Sequence, residues 1–156
     1  MRRKVKNRNV PGGDPLFDST DVEKFTNCLM LAGKKSIARG IVYQAFDIIK
    51  KKENIEDPLE VFDRALKNAG PSMEVRSRRV GGANYQVPRE VRPARKMALA
   101  IRWIIGAARS KEGTPMEMRL AEELIAASKN EGEAITKRDN THKMAEANKA
   151  FAHFAW

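Results

Sequence analysis

Residues 73–91 alternate in a way that no other part of this chain does. Residues 73–80 and 85–91 are strand-like runs on either side of Gly81-Gly82-Ala83-Asn84, a turn sequence that folds two such runs into a hairpin. The segments before and after repeat with a helical period instead. Two strands with no third to join can pair only with each other. The spacing therefore predicts an all-α class: a bundle of about six helices with one extended β-hairpin arm and a basic N-terminal arm. Pro88, inside the second run, confines that strand to an edge, which a hairpin projecting alone supplies.

The helix starts carry chemical signals. Thr20-Asp21-Val22-Glu23 has the form of a capping box, a hydroxyl for one orphan N–H and a carboxylate three residues on for another. The helix it opens sets Val22, Phe25, Leu29 and Ala32 on one face and is expected to stop at Gly33. A second helix, from about Lys34, has Ile37, Ile41, Ala45, Ile48 and Ile49 as its apolar stripe. Asp57-Pro58-Leu59-Glu60 starts a third, with proline at the first helical position, where its missing N–H costs nothing. Val61, Phe62, Ala65, Leu66 and Ala69 line it, and Gly70-Pro71 ends it. Pro93 opens a fourth helix, reaching about Arg109. Thr114-Pro115-Met116-Glu117 opens a fifth through another capping box, and a sixth covers about residues 133–151. At 156 residues the chain is expected to form one domain. Residues 1–15 form its N-terminal arm, ending in the turn residues Pro11-Gly12-Gly13-Asp14-Pro15, and residues 73–91 form its hairpin arm.

The net charge of +10 is localised. Residues 1–13 hold Arg2, Arg3, Lys4, Lys6 and Arg8 with no acidic residue. Residues 73–98 hold Arg76, Arg78, Arg79, Arg89, Arg92, Arg95 and Lys96 against Glu74 and Glu90. Each segment contributes +5, and the other 18 basic residues are matched by 18 acidic ones. Localised basicity of this kind marks a polyanion surface, with nucleic acid the expected partner. On the fourth helix Arg95, Arg102 and Arg109 recur every seven residues as one stripe, opposite Met97, Ile101, Ile104 and Ala108. Residues 91–111 contain no carboxylate to pair with that stripe, so it is read as a phosphate-facing surface. Lys34 and Lys35 stand in a first helical turn, where the macrodipole disfavours cations, and an anion docked there would explain them. Neither arm has enough apolar partners in this reading to order itself, so both are expected to be mobile in the free protein.

Other chemistries are excluded residue by residue. Gly33-Lys34-Lys35-Ser36 lacks the first glycine and the directly following hydroxyl of a phosphate-binding loop. His142 and His153, with one distant cysteine, cannot furnish a zinc site. Cys28, next to Leu29, is read as packed, and a lone cysteine fits a reducing compartment. Glu122 and Glu123 point in different directions, and no nucleophile, base and orienting group assemble, so no enzyme, cofactor or metal is expected. The longest apolar stretches are short and broken by charge, the basic N-terminus is not followed by a secretory h-region, and no basic amphipathic helix suits a membrane surface. A cytosolic protein is expected.

Three stretches carry a family resemblance: residues 21–45 with Gly33-Lys34-Lys35 and then Ile41-Val42, VRSRRVGGANYQVPREV followed by AIRW over residues 75–103, and THKMAEANKAFAHFAW over residues 141–156. In these the chain resembles the family of the seventh protein of the small ribosomal subunit, in its bacterial and organellar form. The resemblance implies a structural protein that binds the 3′ major domain of small-subunit ribosomal RNA and nucleates assembly of the head. It also implies a cytoplasmic ribosome, with an organellar one as the alternative, and neighbouring head and platform proteins as partners. With the charge map, it puts candidate RNA contacts at Arg2, Arg3, Lys4, Lys6, Arg8, Lys34, Lys35, Arg76, Arg78, Arg79, Arg92, Arg95, Lys96, Arg102 and Arg109. It sets the hairpin tip, Gly81, Gly82, Ala83, Asn84 and Tyr85, beside the exit-site transfer RNA and departing messenger RNA. The alternative function is an architectural DNA-binding protein, since helices with basic β-arms also wrap a duplex, although such proteins use an apolar wedge that this tip lacks.

Overall fold

The computed structural model describes residues 11–154, so the basic side chains from Arg2 to Arg8 lie outside the described residues. The described residues form six α-helices, one two-stranded antiparallel hairpin and a terminal 3-10 helix, in agreement with the all-α reading. The chain clusters into two compact units, Met1–Gly40 and Ile41–Trp156.

In the first unit α1 spans Thr20–Leu29, and α2 begins at Lys35. The turn residues before α1 are anchored by Asp14, whose buried carboxylate accepts from the N–H groups of Leu16 and Phe17. The expected capping box does not form. Ser19 is the N-cap and accepts from the Val22 N–H, while Glu23 turns to Lys35 and Arg39 at the start of α2. The helix also stops earlier than expected, at Leu29. The chain then passes through left-handed backbone at Ala32 and Gly33, which leaves Ala32 exposed. Val22, Phe25 and Leu29 are buried as expected. Cys28 is exposed, because it stands roughly 90° around the helix from the middle of that stripe.

The second unit begins within α2, which spans Lys35–Glu53. Its buried stripe is Ala38, Val42, Ala45, Phe46 and Ile49, whereas Ile37 is exposed and Ile41 and Ile48 are only half-buried. Two overlapping stripes satisfy the same 3.6-residue period here, and the one containing the phenylalanine is buried. Phe46 packs edge-on against Phe62 with ring centres 5.5 Å apart. α3, Pro58–Ala69, follows the sequence reading fully: Asp57 caps it through the Leu59 N–H, and all five lining residues are buried.

α3 packs against α4 (Pro93–Ser110), α5 (Met116–Ser128) and α6 (Glu133–Ala147). The capping box foreseen at Thr114 is absent. Pro115 itself is the N-cap, so the proline sits one position earlier than expected and no side chain caps the helix. α6 is capped from outside: fully buried Glu123 of α5 accepts from the Ala134 N–H at 3.0 Å and pairs with Lys111 at 2.9 Å. Gly132 is needed at that junction, since its φ is +95° and a Cβ there would meet the Glu123 carboxylate at 2.9 Å. The expected long sixth helix ends at Ala147, and the 3-10 helix Lys149–Phe154 follows.

The hairpin joins β1, Met73–Val80, to β2, Ala83–Glu90. Its turn has two residues rather than four: Gly81 and Gly82 both take positive φ, as a type I′ turn requires, and Ala83 and Asn84 belong to the strand. The register places Val80 opposite Ala83, Arg78 opposite Tyr85 and Glu74 opposite Arg89. The hairpin does not project alone. α6 packs on both strands and the 3-10 helix on β2.

Candidate nucleic-acid interface

Strand pleating puts Glu74, Arg76 and Arg78 on the same face as their partners Arg89, Val87 and Tyr85. Val87 on that face is buried, and so is Pro88 on the opposite one, where Met73 and Pro88 line a pocket with His142 and Ala145 of α6. At the base, the Val91 N–H donates to the Ser72 carbonyl at 2.9 Å, and two residues later Pro93 starts α4. This short connection brings the first turn of α4 beside the strands. Glu74, Arg76, Arg89, Glu90, Arg92 and Arg95 together line a polar cleft of about 320 Å³. Four guanidinium groups thus face two carboxylates. Arg92 is the N-cap of α4 and makes no side-chain cap bond, and the first turn has no acidic residue. The positive end of that helix dipole therefore adds to the cationic character of the cleft.

Glu74 is nearly buried within the cluster. Arg76 Nε donates to its Oε1 at 2.8 Å and Arg95 Nε to its Oε2 at 2.6 Å. Burial alone would raise its pKa, but the hydrogen bonds from Arg95 and Arg76 outweigh that and hold the carboxyl below the ordinary 4.5. The expectation that Arg95 has no carboxylate partner is thereby corrected: the partner comes from β1, outside residues 91–111. Arg89, expected only as part of the charge excess, lines the same cleft. A two-residue turn read from Gly81-Gly82 would have placed it opposite Glu74.

The remaining candidates are dispersed. Arg102 and Arg109 are exposed on α4 along the line of Arg95, while Ile101, Ile104 and Ala108 are buried opposite and Met97 is half-buried. Lys96 is half-buried, its stem lying over Gly70. Arg79 is exposed on the other face of β1. Arg78 instead reaches the 3-10 helix, donating through Nη1 to the Phe154 carbonyl at 2.8 Å. The tip residues Gly81, Gly82, Ala83 and Asn84 are exposed. The Tyr85 ring packs with Phe151 and Phe154, centres 5.3 and 5.1 Å away, so the premise that the hairpin lacks apolar partners is overturned. In the first unit Lys34 is exposed, whereas Lys35 bonds to Glu23. A side chain of this protein, Glu23, thus supplies an anion to Lys35 at that helix start. The Lys35 hydrogen bond holds the Glu23 carboxyl below its ordinary range despite burial.

The sequence model of ribosomal protein S7p/S5e matches residues 1–149. The chain belongs to that family. Members of this family with high similarity include the small ribosomal subunit protein uS7 of Rhodopirellula baltica, 55% identical over the full length of both chains. The corresponding Moorella thermoacetica protein is 58% identical over 92% of this chain and 91% of its own. The Thermotoga maritima protein is 56% identical over 99% of both. S7p/S5e membership agrees with the resemblance drawn from the hairpin and C-terminal stretches.

Proposed function

We propose that this chain is a structural, non-catalytic component of the small ribosomal subunit that binds the 3′ major domain of its RNA and nucleates assembly of the head. The observation that carries this reading is the convergence of Arg76, Arg89, Arg92 and Arg95 on one cleft at the N-terminus of α4. Arginine forks match phosphate oxygens two at a time, and a helix start favours the same charge. The exposed line of Arg102 and Arg109 extends that surface along α4. Lys34 and the basic residues from Arg2 to Arg8 are proposed as further contacts, with neighbouring head and platform proteins as partners. The hairpin tip, exposed and uncharged, is assigned to the exit-site transfer RNA and the path of departing messenger RNA rather than to anchoring the large RNA. Two glycines there allow a backbone to approach closely.

Competition binding tests this reading. The protein should retain a folded transcript of the 3′ major domain against an excess of mixed-sequence duplex DNA. Equal displacement by the duplex would favour an architectural DNA-binding role instead.

A further inference from the structure

Glu74 is a carboxylate at the centre of the cleft assigned above to phosphate. Its side chain is only 10% exposed, and both oxygens are committed, one to Arg76 and one to Arg95. Each arginine donates to it through Nε, which leaves the Nη groups of both forks unspent on Glu74. Both arginine side chains remain about half exposed, at 50% and 46%. Arg89 stands opposite Glu74 in the strand register, and Arg92 and Glu90 complete the cleft. Four cations lining one cleft repel one another; the two carboxylates among them reduce that repulsion, and Glu74 also fixes the direction of two.

We propose that Glu74 is a positioning residue for RNA binding, holding Arg76 and Arg95 by their Nε–H groups so that their outer N–H groups face the RNA phosphates before the RNA arrives. The inference rests on the RNA-binding reading above. It predicts a sign that charge alone does not. Removing a carboxylate makes the protein more positive, which strengthens sequence-independent binding to any polyanion. Loss of the anchor frees two long side chains, whose ordering must then be met at the moment of binding.

Glu74→Gln in the full chain is therefore expected to bind the folded ribosomal RNA transcript about tenfold more weakly, on the scale of one charge-assisted hydrogen bond. The same variant should bind mixed-sequence duplex DNA as tightly as the unsubstituted chain or more tightly. Glu74→Asp keeps the charge and retracts the acceptors by one methylene, so it should lose transcript affinity without gaining duplex affinity. Filter binding over a series of salt concentrations reads both ligands, with circular dichroism as the check on folding. If Glu74→Gln binds the transcript at least as tightly as the unsubstituted chain, the proposal is overturned and Glu74 is only a brake on positive charge. If Glu74→Gln fails to fold, Glu74→Asp decides, and unchanged transcript affinity overturns the proposal. A parent chain with no preference for the transcript over the duplex sinks the RNA-binding reading itself, and that outcome is visible before any variant is made.

Discussion

The two ends of the hairpin are held by different forces. At the base, Glu74 ties β1 to α4 through Arg95 in a cleft of charged side chains. Toward the tip, Tyr85 lies against Phe151 and Phe154, and those two rings stack nearly parallel. The first contact is electrostatic, sensitive to salt and pH, and shares its groups with the proposed ligand. The second is apolar and has no such dependence. The aromatic contact spends none of the cleft's arginines, which the proposed reading assigns to phosphate.

The largest expected effect strips charge from the α4 surface and spares the outer half of the hairpin. Replacing Arg92 and Arg102 together with glutamine should flatten the slope of log affinity against log salt for the ribosomal RNA by about 1.4 to 1.8, or 0.7 to 0.9 for each phosphate no longer neutralised. Salt titration of binding measures it. Helical content should be retained, because both side chains are exposed and the buried face of α4 is untouched. An unchanged slope with collapsed circular dichroism would make these residues structural.

Tyr85→Ala does the converse. It removes a ring that packs on two others, each pairing being worth roughly 0.5 to 1.5 kcal/mol, so the outer strands should open locally at a cost lower by about 1 to 3 kcal/mol. Hydrogen exchange at the ladder amides between Arg78 and Gln86 should quicken while amides of Ile104 and Ile105 stay protected. The salt slope of RNA binding should stay as it is. Loss of protection throughout the chain would show that the hairpin and the helices open as one unit.

Acid should produce the smallest change, confined to the base. The Glu74 carboxyl lies below 4.5 in the folded protein, so its stabilising contribution is complete above that ordinary value. It is lost as pH falls through the depressed folded value. The loss is modest because Arg76 and Arg95 are half exposed and solvent screens both pairs. The side-chain Nε–H resonances of Arg76 and Arg95 should shift together over that range, while the Tyr85 ring resonances stay fixed. Movement of Tyr85 in step with the arginines would join the two ends into one cooperative contact.

The sequence by itself determined whatever depends on neighbours a few residues apart. The helical period, the Asp57-Pro58 start of α3 with its complete apolar face, the two glycines of the turn and the confinement of charge to two segments are all local facts. The start and apolar face of α3 survived in the structure, the four-residue turn shrank to its two glycines, and of the two charged segments only the second lies within the described residues. Spacing also gave the outward line of Arg95, Arg102 and Arg109, because a helix fixes the angle between residues seven apart. Tertiary structure decided what depends on residues distant in sequence. α2 carries two stripes of equal periodicity, and only packing selects the one with Phe46. Glu23 satisfies both a capping pattern and an ion pair, and the arrival of Lys35 and Arg39 settles which forms. Glu74 reads as one acid among seven basic residues until a two-residue turn sets it opposite Arg89 and α4 brings Arg95 to it. Tyr85 reads as a tip residue until the chain returns with Phe151 and Phe154. Periodicity records which side of an element a residue occupies. It holds no record of which other element will be there to meet it.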